Sequence, residues 1–474
     1  MLETVMENLL TGLDFLYGWI WGAPLLILLT GVGIYLTIAL KGLQFRYLGY
    51  ALKLVFAPKK GHPEAEGKGD ISHFESLMTA LAATIGIGNI AGVATAIAVG
   101  GLGALFWMWV TALLGMSTKY AEAILAVKYR VMDKRGEMCG GPMYFIETGL
   151  GWKWLAVSFA FLGSVAALGG GNMLQANSVS DVMSRMFYVD PLWTGIVMAV
   201  LTGLTLLGGI KSIGKVASLL VPFMAVFYIL GASIILILCY PLIPSALVSI
   251  FTHAFTGQAA YGGFLGSSML LALRVGVSRG LMTSEAGLGT ASIAAAAAKT
   301  DLPGRQALVS MTGSFLATVI MCSVTGLVLG VTNILGTLDA EGKLLTGASM
   351  TVAAFESVLT GSGYIVTIGL VLFAFTTVLG WSYYGEKCVE YLFGPKSVPF
   401  YRIIFSLVII PGAILELNIV WKISDVFNGL MAFPNLIAIC ALSGVVIAET
   451  KTFLNVLKAE QLMLDEKVEY EKVT

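Results

Sequence analysis

Leu81-Ala82-Ala83-Thr84-Ile85-Gly86-Ile87-Gly88-Asn89 decides how the whole chain is read. It lies in the middle of an apolar stretch near residues 72–99, long enough to cross a bilayer, which takes about 20 apolar residues of helix. Glycines at alternate positions in mid-span predict a helix that breaks inside the membrane. A second stretch, Leu271-Ala272-Leu273-Arg274-Val275-Gly276-Val277-Ser278-Arg279-Gly280, sits near the middle of the apolar run 263–298. Gly86 and Gly276, 190 residues apart, read as the starts of two matched breaks. One such pair alone is ordinary close packing in a membrane helix, but a matching position in two halves points to inverted repeats.

The rest of the chain fits that frame. Of 474 residues, 57% are hydrophobic and only 12% charged, with a mean hydropathy of +0.87, whereas soluble domains carry about a quarter charged residues. This is the composition of a polytopic membrane protein. Basic and acidic residues balance at 28 each, leaving no net field to draw nucleic acid, which is excluded as a main partner. Five scattered cysteines without a CxxC pair encode neither a zinc site nor a disulfide framework. Apolar runs near 19–40, 72–99, 102–127, 152–178, 190–208, 215–239, 263–298, 306–331, 364–392, 398–416 and 421–448 predict eleven spans. Residues 1–20 hold no Lys or Arg, the wrong charge for a cleaved signal peptide.

Basic residues resist translocation, and 21 of the 28 fall in 41–71, 128–151, 209–215, 299–305, 385–402 and the tail from 449. The expectation is a multi-pass protein of the cell membrane with its N-terminus outside and its C-terminus in the cytoplasm. The predicted organisation is an N-terminal transmembrane helix and cytoplasmic amphipathic linker over 1–71, five-helix repeats over 72–262 and 263–448, and a cytoplasmic tail over 449–474.

A helix broken at mid-membrane leaves backbone N–H and C=O groups without partners. The N–H end, here the amides of Gly86, Ile87 and Gly88, suits a carboxylate. The carbonyl end suits Na⁺, a hard cation that prefers oxygen. Hydroxyls for the ion are at hand in Phe373-Ala374-Phe375-Thr376-Thr377-Val378-Leu379-Gly380-Trp381, where Thr376 and Thr377 either complete the shell or bond back to their own helix. In Gly169-Gly170-Gly171-Asn172-Met173-Leu174-Gln175-Ala176-Asn177 the amides of Asn172 and Gln175 share a face and are either pocket groups or interhelical glue. Trp381, about one turn beyond the threonines, and Met282, just past the second stretch, are candidate walls of a pocket for very small amino acids. The alternative for Trp381 is an aromatic-belt anchor, since Tyr383 and Tyr384 follow it. Gly276 and Ser278 complete the candidate substrate contacts, with Thr377 serving both substrate and ion.

Gly86-Ile87-Gly88-Asn89-Ile90-Ala91-Gly92, Gly140-Gly141-Pro142-Met143-Tyr144-Phe145-Ile146-Glu147, Ser284-Glu285-Ala286-Gly287-Leu288-Gly289, Gly380-Trp381-Ser382-Tyr383-Tyr384-Gly385-Glu386 and Met431-Ala432-Phe433-Pro434-Asn435 together resemble the alanine or glycine:cation symporter family, and specifically its sodium:alanine symporters. The resemblance implies an all-α fold of one extra N-terminal helix plus a five-plus-five inverted-repeat core. It implies symport of alanine and glycine with Na⁺ as coupling ion and no other cofactor. By motif position it implies a sodium site made of the carbonyls of Ala82, Ile85 and Phe373 and the hydroxyls of Thr376 and Thr377. Asn89 matches one ligand of the second sodium that some relatives carry, but the stretch around Thr312-Gly313-Ser314 offers no Asn for the other.

Charges inside spans are costly and face protein or water. Lys119 and Glu122 are expected to form a snorkelling ion pair, and Arg274, Arg279 and Glu285 to serve either as gate ion pairs or as structural ones. Proton-coupled symport, the main alternative, needs a lone acid at a break, and neither quoted break stretch contains one. A rival of another class, an intramembrane serine hydrolase, rests on Gly276-Val277-Ser278-Arg279-Gly280, which matches a nucleophile elbow only if a strand precedes it.

Overall fold

The computed structural model describes residues 2–56, 67–259, 266–338, 342–415 and 418–473. Much of the expected polar linker (57–66) and the start of the 263–298 stretch lie outside the described residues. Eight helices among the described residues are long and apolar enough to cross a membrane, including Gly103–Lys128, Lys153–Phe187, Gly209–Leu238, Pro303–Thr332 and Gly363–Phe393. Pro191–Leu206 is apolar but shorter. Gly103–Lys128 packs extensively against Met269–Ser284 and Pro303–Ser314, and Gly363–Phe393 against Lys153–Leu168, Gly209–Leu238 and His73–Thr84.

The first break forms where the glycines place it. Ser72 and Glu75 close a capping box at the start of His73–Thr84: Ser72 Oγ accepts from the Glu75 amide at 3.1 Å, and Glu75 Oε2 accepts from the Ser72 amide at 2.8 Å. The helix ends at Thr84, a short 3-10 turn spans Ile87–Asn89, and Ala91–Gly100 continues across. Glycine at 380 lets the helix Gly363–Phe393 lie directly on this segment, since a Cβ there would sit 2.6 Å from Ala83. Thr377, three residues earlier on the same face, is thereby brought to the break.

The second break is not at Gly276. Met269–Ser284 is a continuous helix through that residue. A Cβ on Gly276 would strike the Ala104 carbonyl, and one on Gly280 would lie 3.0 Å from Met108 Cα. The pair, four residues apart, is therefore a small-xxx-small seam against Gly103–Lys128. The chain leaves the helix at Glu285, which is left-handed with φ +52, followed by Gly287 at +92 and Gly289 at +81 before Thr290–Ala296 resumes. The same continuity disposes of the nucleophile elbow: Ser278 lies inside a helix.

Lys153–Leu168 and Leu174–Phe187 are joined by a π turn at Gly169–Met173. Gly171 there leaves room for Trp381, whose Cβ and Cγ would collide with any side chain at 171. On the side expected to be cytoplasmic, a hairpin pairs Val131–Met132 with Met138–Cys139. Its Arg135 bonds Asp133 at 2.9 Å and Glu390 at 2.9 Å, tying the hairpin to Gly363–Phe393.

Candidate functional site

A cavity of about 460 Å³ opens between the two breaks, lined by Thr84, Gly86, Ile87, Gly88, Glu285 and Thr377 among others. At the first break the Gly86 amide is already satisfied, donating to Asn89 Oδ1 at 3.1 Å, while Asn89 Nδ2 donates to the Ala317 carbonyl at 2.8 Å. Asn89 thus braces the turn. The Ile87 and Gly88 amides have no hydrogen-bond acceptor among the described residues, so these two, and not the Gly86 amide, are open to a carboxylate.

The two threonines part company. Thr377 lines the cavity and its hydroxyl donates to the Ala82 carbonyl at 3.1 Å, across from its own helix. Thr376 turns away: its hydroxyl donates back to the Phe373 carbonyl at 3.0 Å and lies 3.4 Å from Met224 Sδ. The Ala82 carbonyl is thus at the break beside Thr377, and Ile85 caps the helix there with its amide on the Leu81 carbonyl at 2.7 Å. The Phe373 carbonyl is held inside its own helix.

Of the amide pair, Gln175 lines the cavity. Asn172 does not; it is fully buried and donates to the Phe405 carbonyl at 2.6 Å, the interhelical role. Gly276 packs in the helix seam, and Ser278 opens onto a different pocket with Tyr17, Trp21, Arg274 and Arg279. Met282 and Trp381 both line the central cavity. Trp381 is 6% exposed and edge-on to Tyr384 at 5.7 Å, while Tyr383 and Tyr384 are each 1% exposed, so this trio sits inside the protein and is no interfacial belt.

Two features escaped the sequence. Glu122 is not paired with Lys119. Its Oε1 accepts from the amides of Gly287 at 2.9 Å and Gly289 at 3.2 Å and from Asn435 Nδ2 at 2.8 Å, while Asn435 also donates to the Gly287 carbonyl at 2.9 Å. Glu122 therefore holds the second break open. Glu122→Ala leaves two buried N–H groups without an acceptor, a loss of about 2–5 kcal/mol. The expected result is a clear fall in melting temperature of the purified protein, with Glu122→Gln milder because its amide oxygen still accepts. Equal melting temperatures for wild type and Glu122→Ala contradict the bracing role.

The second is a polar wall on the helix Asn418–Ala441. Ser424, Asp425 and Asn428 line the cavity with Gln175. Each carries a buried side-chain oxygen with no partner among the described residues. Asp133 and Cys139 of the hairpin and Glu390 of Gly363–Phe393 bring potential metal ligands together. The Lys387 ammonium, 3.0 Å from Glu390 and 3.3 Å from Cys139 Sγ, already supplies the positive charge there.

Comparison with known proteins covers nearly the whole chain. The family model described as the sodium:alanine symporter family matches residues 6–467. The sodium/alanine symporter AgcS of Methanococcus maripaludis is 56% identical, across 93% of this chain and 96% of its own. An uncharacterized transporter of Haemophilus influenzae is 50% identical, across 97% and 99%. Among solved structures, the crystal structure of MhsT in complex with L-phenylalanine superposes with a TM-score of 0.58 at 15% identity, covering 81% of this chain and 93% of that one, which is a likeness of fold.

Proposed function

We propose, from the premise that this chain belongs to the sodium:alanine symporter family, that it carries alanine and glycine into the cell with Na⁺ by alternating access. At the coarser level it is a multi-pass membrane protein of a family of amino-acid:cation symporters. The observation that carries the proposal is the meeting of Thr377 with the Ala82 carbonyl beside two open amides at one helix break. That arrangement presents oxygen ligands and N–H donors on either side of a single turn, as a cation and a carboxylate moved together require.

In this reading the Ile87 and Gly88 amides hold the carboxylate. The carbonyls of Ala82 and Ile85 and the hydroxyl of Thr377 hold Na⁺, with Thr376 and the Phe373 carbonyl at most completing the shell after a rearrangement of their mutual hydrogen bond. Gln175, Met282 and Trp381 line the substrate space. The interrupted helices support the organisation into eleven spans, an N-terminal helix followed by two halves, and the basic loops support an outside N-terminus and a cytoplasmic C-terminus in the cell membrane. The test is binding of labelled alanine to purified protein in Na⁺ or in choline. Binding that rises steeply with Na⁺ is expected; equal binding in both salts removes the coupling.

Proton coupling keeps one supporting observation, because the second break falls on Glu285, a buried acid in the cavity wall. Sodium is preferred because the first break presents neutral oxygens, which suit a metal cation better than a proton.

The pocket wall makes a separate prediction. Trp381→Ala removes an indole that fills the space above Gly171, and specificity against larger solutes comes from clash. Leucine should then compete with alanine for uptake where it does not in the wild type. A variant that still transports alanine and still excludes leucine shows that another side chain is the wall.

A further inference from the structure

Glu285 sits at the second break with a left-handed backbone, 2% exposed, its side chain on the cavity wall. Its Oε2 lies 3.2 Å from Thr84 Oγ1 and 3.2 Å from Thr290 Oγ1. The Thr84 hydroxyl is shared as a donor between the Ala80 carbonyl at 2.7 Å and Glu285. The Thr290 hydroxyl and the Trp381 side chain also donate to Glu285, so neutral donors meet the carboxylate and, among the described residues, no cation does so closely. A carboxylate this deeply buried is costly unless a cation meets it. Lys119, on Gly103–Lys128, and Trp381 and Tyr384, on Gly363–Phe393, face it from the packed helices. Among the described residues Lys119 forms no close ion pair with it; the ammonium lies 3.5 Å from where a Cβ of Gly313 would stand.

We propose that Glu285 is the counter-ion that receives the α-ammonium of the transported amino acid. The inference rests on the symport reading above. Its basis is spacing: Thr84 touches Glu285 and is two residues from Gly86, where the open amides of Ile87 and Gly88 begin. In an α-amino acid the nitrogen and the carboxylate carbon share one Cα and are about 2.5 Å apart. A zwitterion with its carboxylate on those amides and its ammonium turned toward Thr84 meets Glu285. Of the other two acids in the wall, Asp181 is paired with Arg185 at 2.8 Å, and Asp425 belongs to the face formed with Ser424 and Asn428 against Gly169 and Gly170. Glu285 thus joins the two breaks through the substrate: the first half holds the anion and the second half holds the cation. The solute class is fixed accordingly as one with a free cationic amine next to its carboxylate, so a hydroxy acid is rejected.

The test uses full-length protein in proteoliposomes and in detergent, with labelled alanine displaced by alanine or by lactate. Wild type is expected to prefer alanine over lactate by roughly a hundredfold or more, which is the discrimination a buried charge pair provides. In Glu285→Gln the half-saturating alanine concentration should rise by about thirtyfold or more, with lactate unchanged and the Na⁺-induced rise in melting temperature retained. Glu285→Asp, which keeps the charge on a shorter arm, should lie between and serves if the Gln variant fails to fold. Alanine binding within threefold of wild type in both variants overturns the assignment. So does a Gln variant that keeps its alanine affinity but no longer responds to an imposed pH gradient, which makes Glu285 a proton carrier. Wild-type protein that binds no alanine in any salt overturns the symport reading and this inference with it.

Discussion

Gly86→Ala should reduce Na⁺-driven alanine uptake by roughly a hundredfold or more. The cause is steric. Gly86 has φ −122 and ψ −159, an extended conformation open to any residue, so no backbone strain is involved. A Cβ at this position, however, would stand 2.5 Å from Thr377 Oγ1 and 3.4 Å from Thr377 Cβ. The threonine must move, and with it the contact to the Ala82 carbonyl at 3.1 Å. Overpacking of this kind costs about 1–3 kcal/mol, but the function depends on position more than on stability, because the same displacement separates the ion ligands from the open amides. Gly88→Ala is the internal comparison: its Cβ would meet only Thr283 Cγ2 at 3.6 Å, an ordinary contact. Its loss should be much smaller and confined to apparent alanine affinity. Measuring uptake and melting temperature for both variants checks the account; equal, mild effects contradict it.

The second large effect is expected at Thr377→Val, with Thr376→Val as the contrast. Valine keeps the shape of threonine and deletes the hydroxyl. At 377 that removes an oxygen facing the first break, and an oxygen ligand to a charged group is worth about 1.5–3 kcal/mol, so the Na⁺ concentration for half-maximal uptake should rise by roughly ten- to a hundredfold. At 376 the hydroxyl serves its own helix, through the Phe373 carbonyl, and the change should be within about threefold. Na⁺ titration of uptake separates the two. Equal shifts would mean that Thr376 swings toward the ion during transport, and no shift at either would remove both from the sodium site.

What the sequence makes legible follows from what a linear pattern can encode. The first break could be read because glycines at 86 and 88, two residues apart, interrupt an apolar run at a spacing that does not fit a four-residue helix seam. The second was misplaced because Gly276 and Gly280 have the same composition but a different cause: their spacing of four fits a close helix contact, visible only once Ala104 and Met108 are seen opposite. The true break carries its signal in Gly287 and Gly289, which adopt positive φ, and in an acid, Glu285, whose charge argues against a mid-membrane position until the cavity is known. Asn172 and Gln175 appeared to share a face because a regular helical wheel was assumed; the π turn at Gly169–Met173 adds to the turn and rotates Asn172 out of register toward Phe405. Adjacent residues on a helix point about 100° apart, so with Thr377 turned to the break the Thr376 hydroxyl is left to its own helix. Gly380 decides between them, since its missing side chain marks the face that touches Ala83.

The central claim is that an inward Na⁺ gradient is what drives this protein to accumulate alanine. Purified protein in proteoliposomes, loaded with K⁺ and diluted into Na⁺, K⁺ or a K⁺ medium of lower pH, measures it directly with labelled alanine. Accumulation above the external concentration is expected only with Na⁺ outside, collapsing when a sodium ionophore is added. Accumulation in the Na⁺-free medium driven by the pH gradient alone, with no response to added Na⁺, would contradict it.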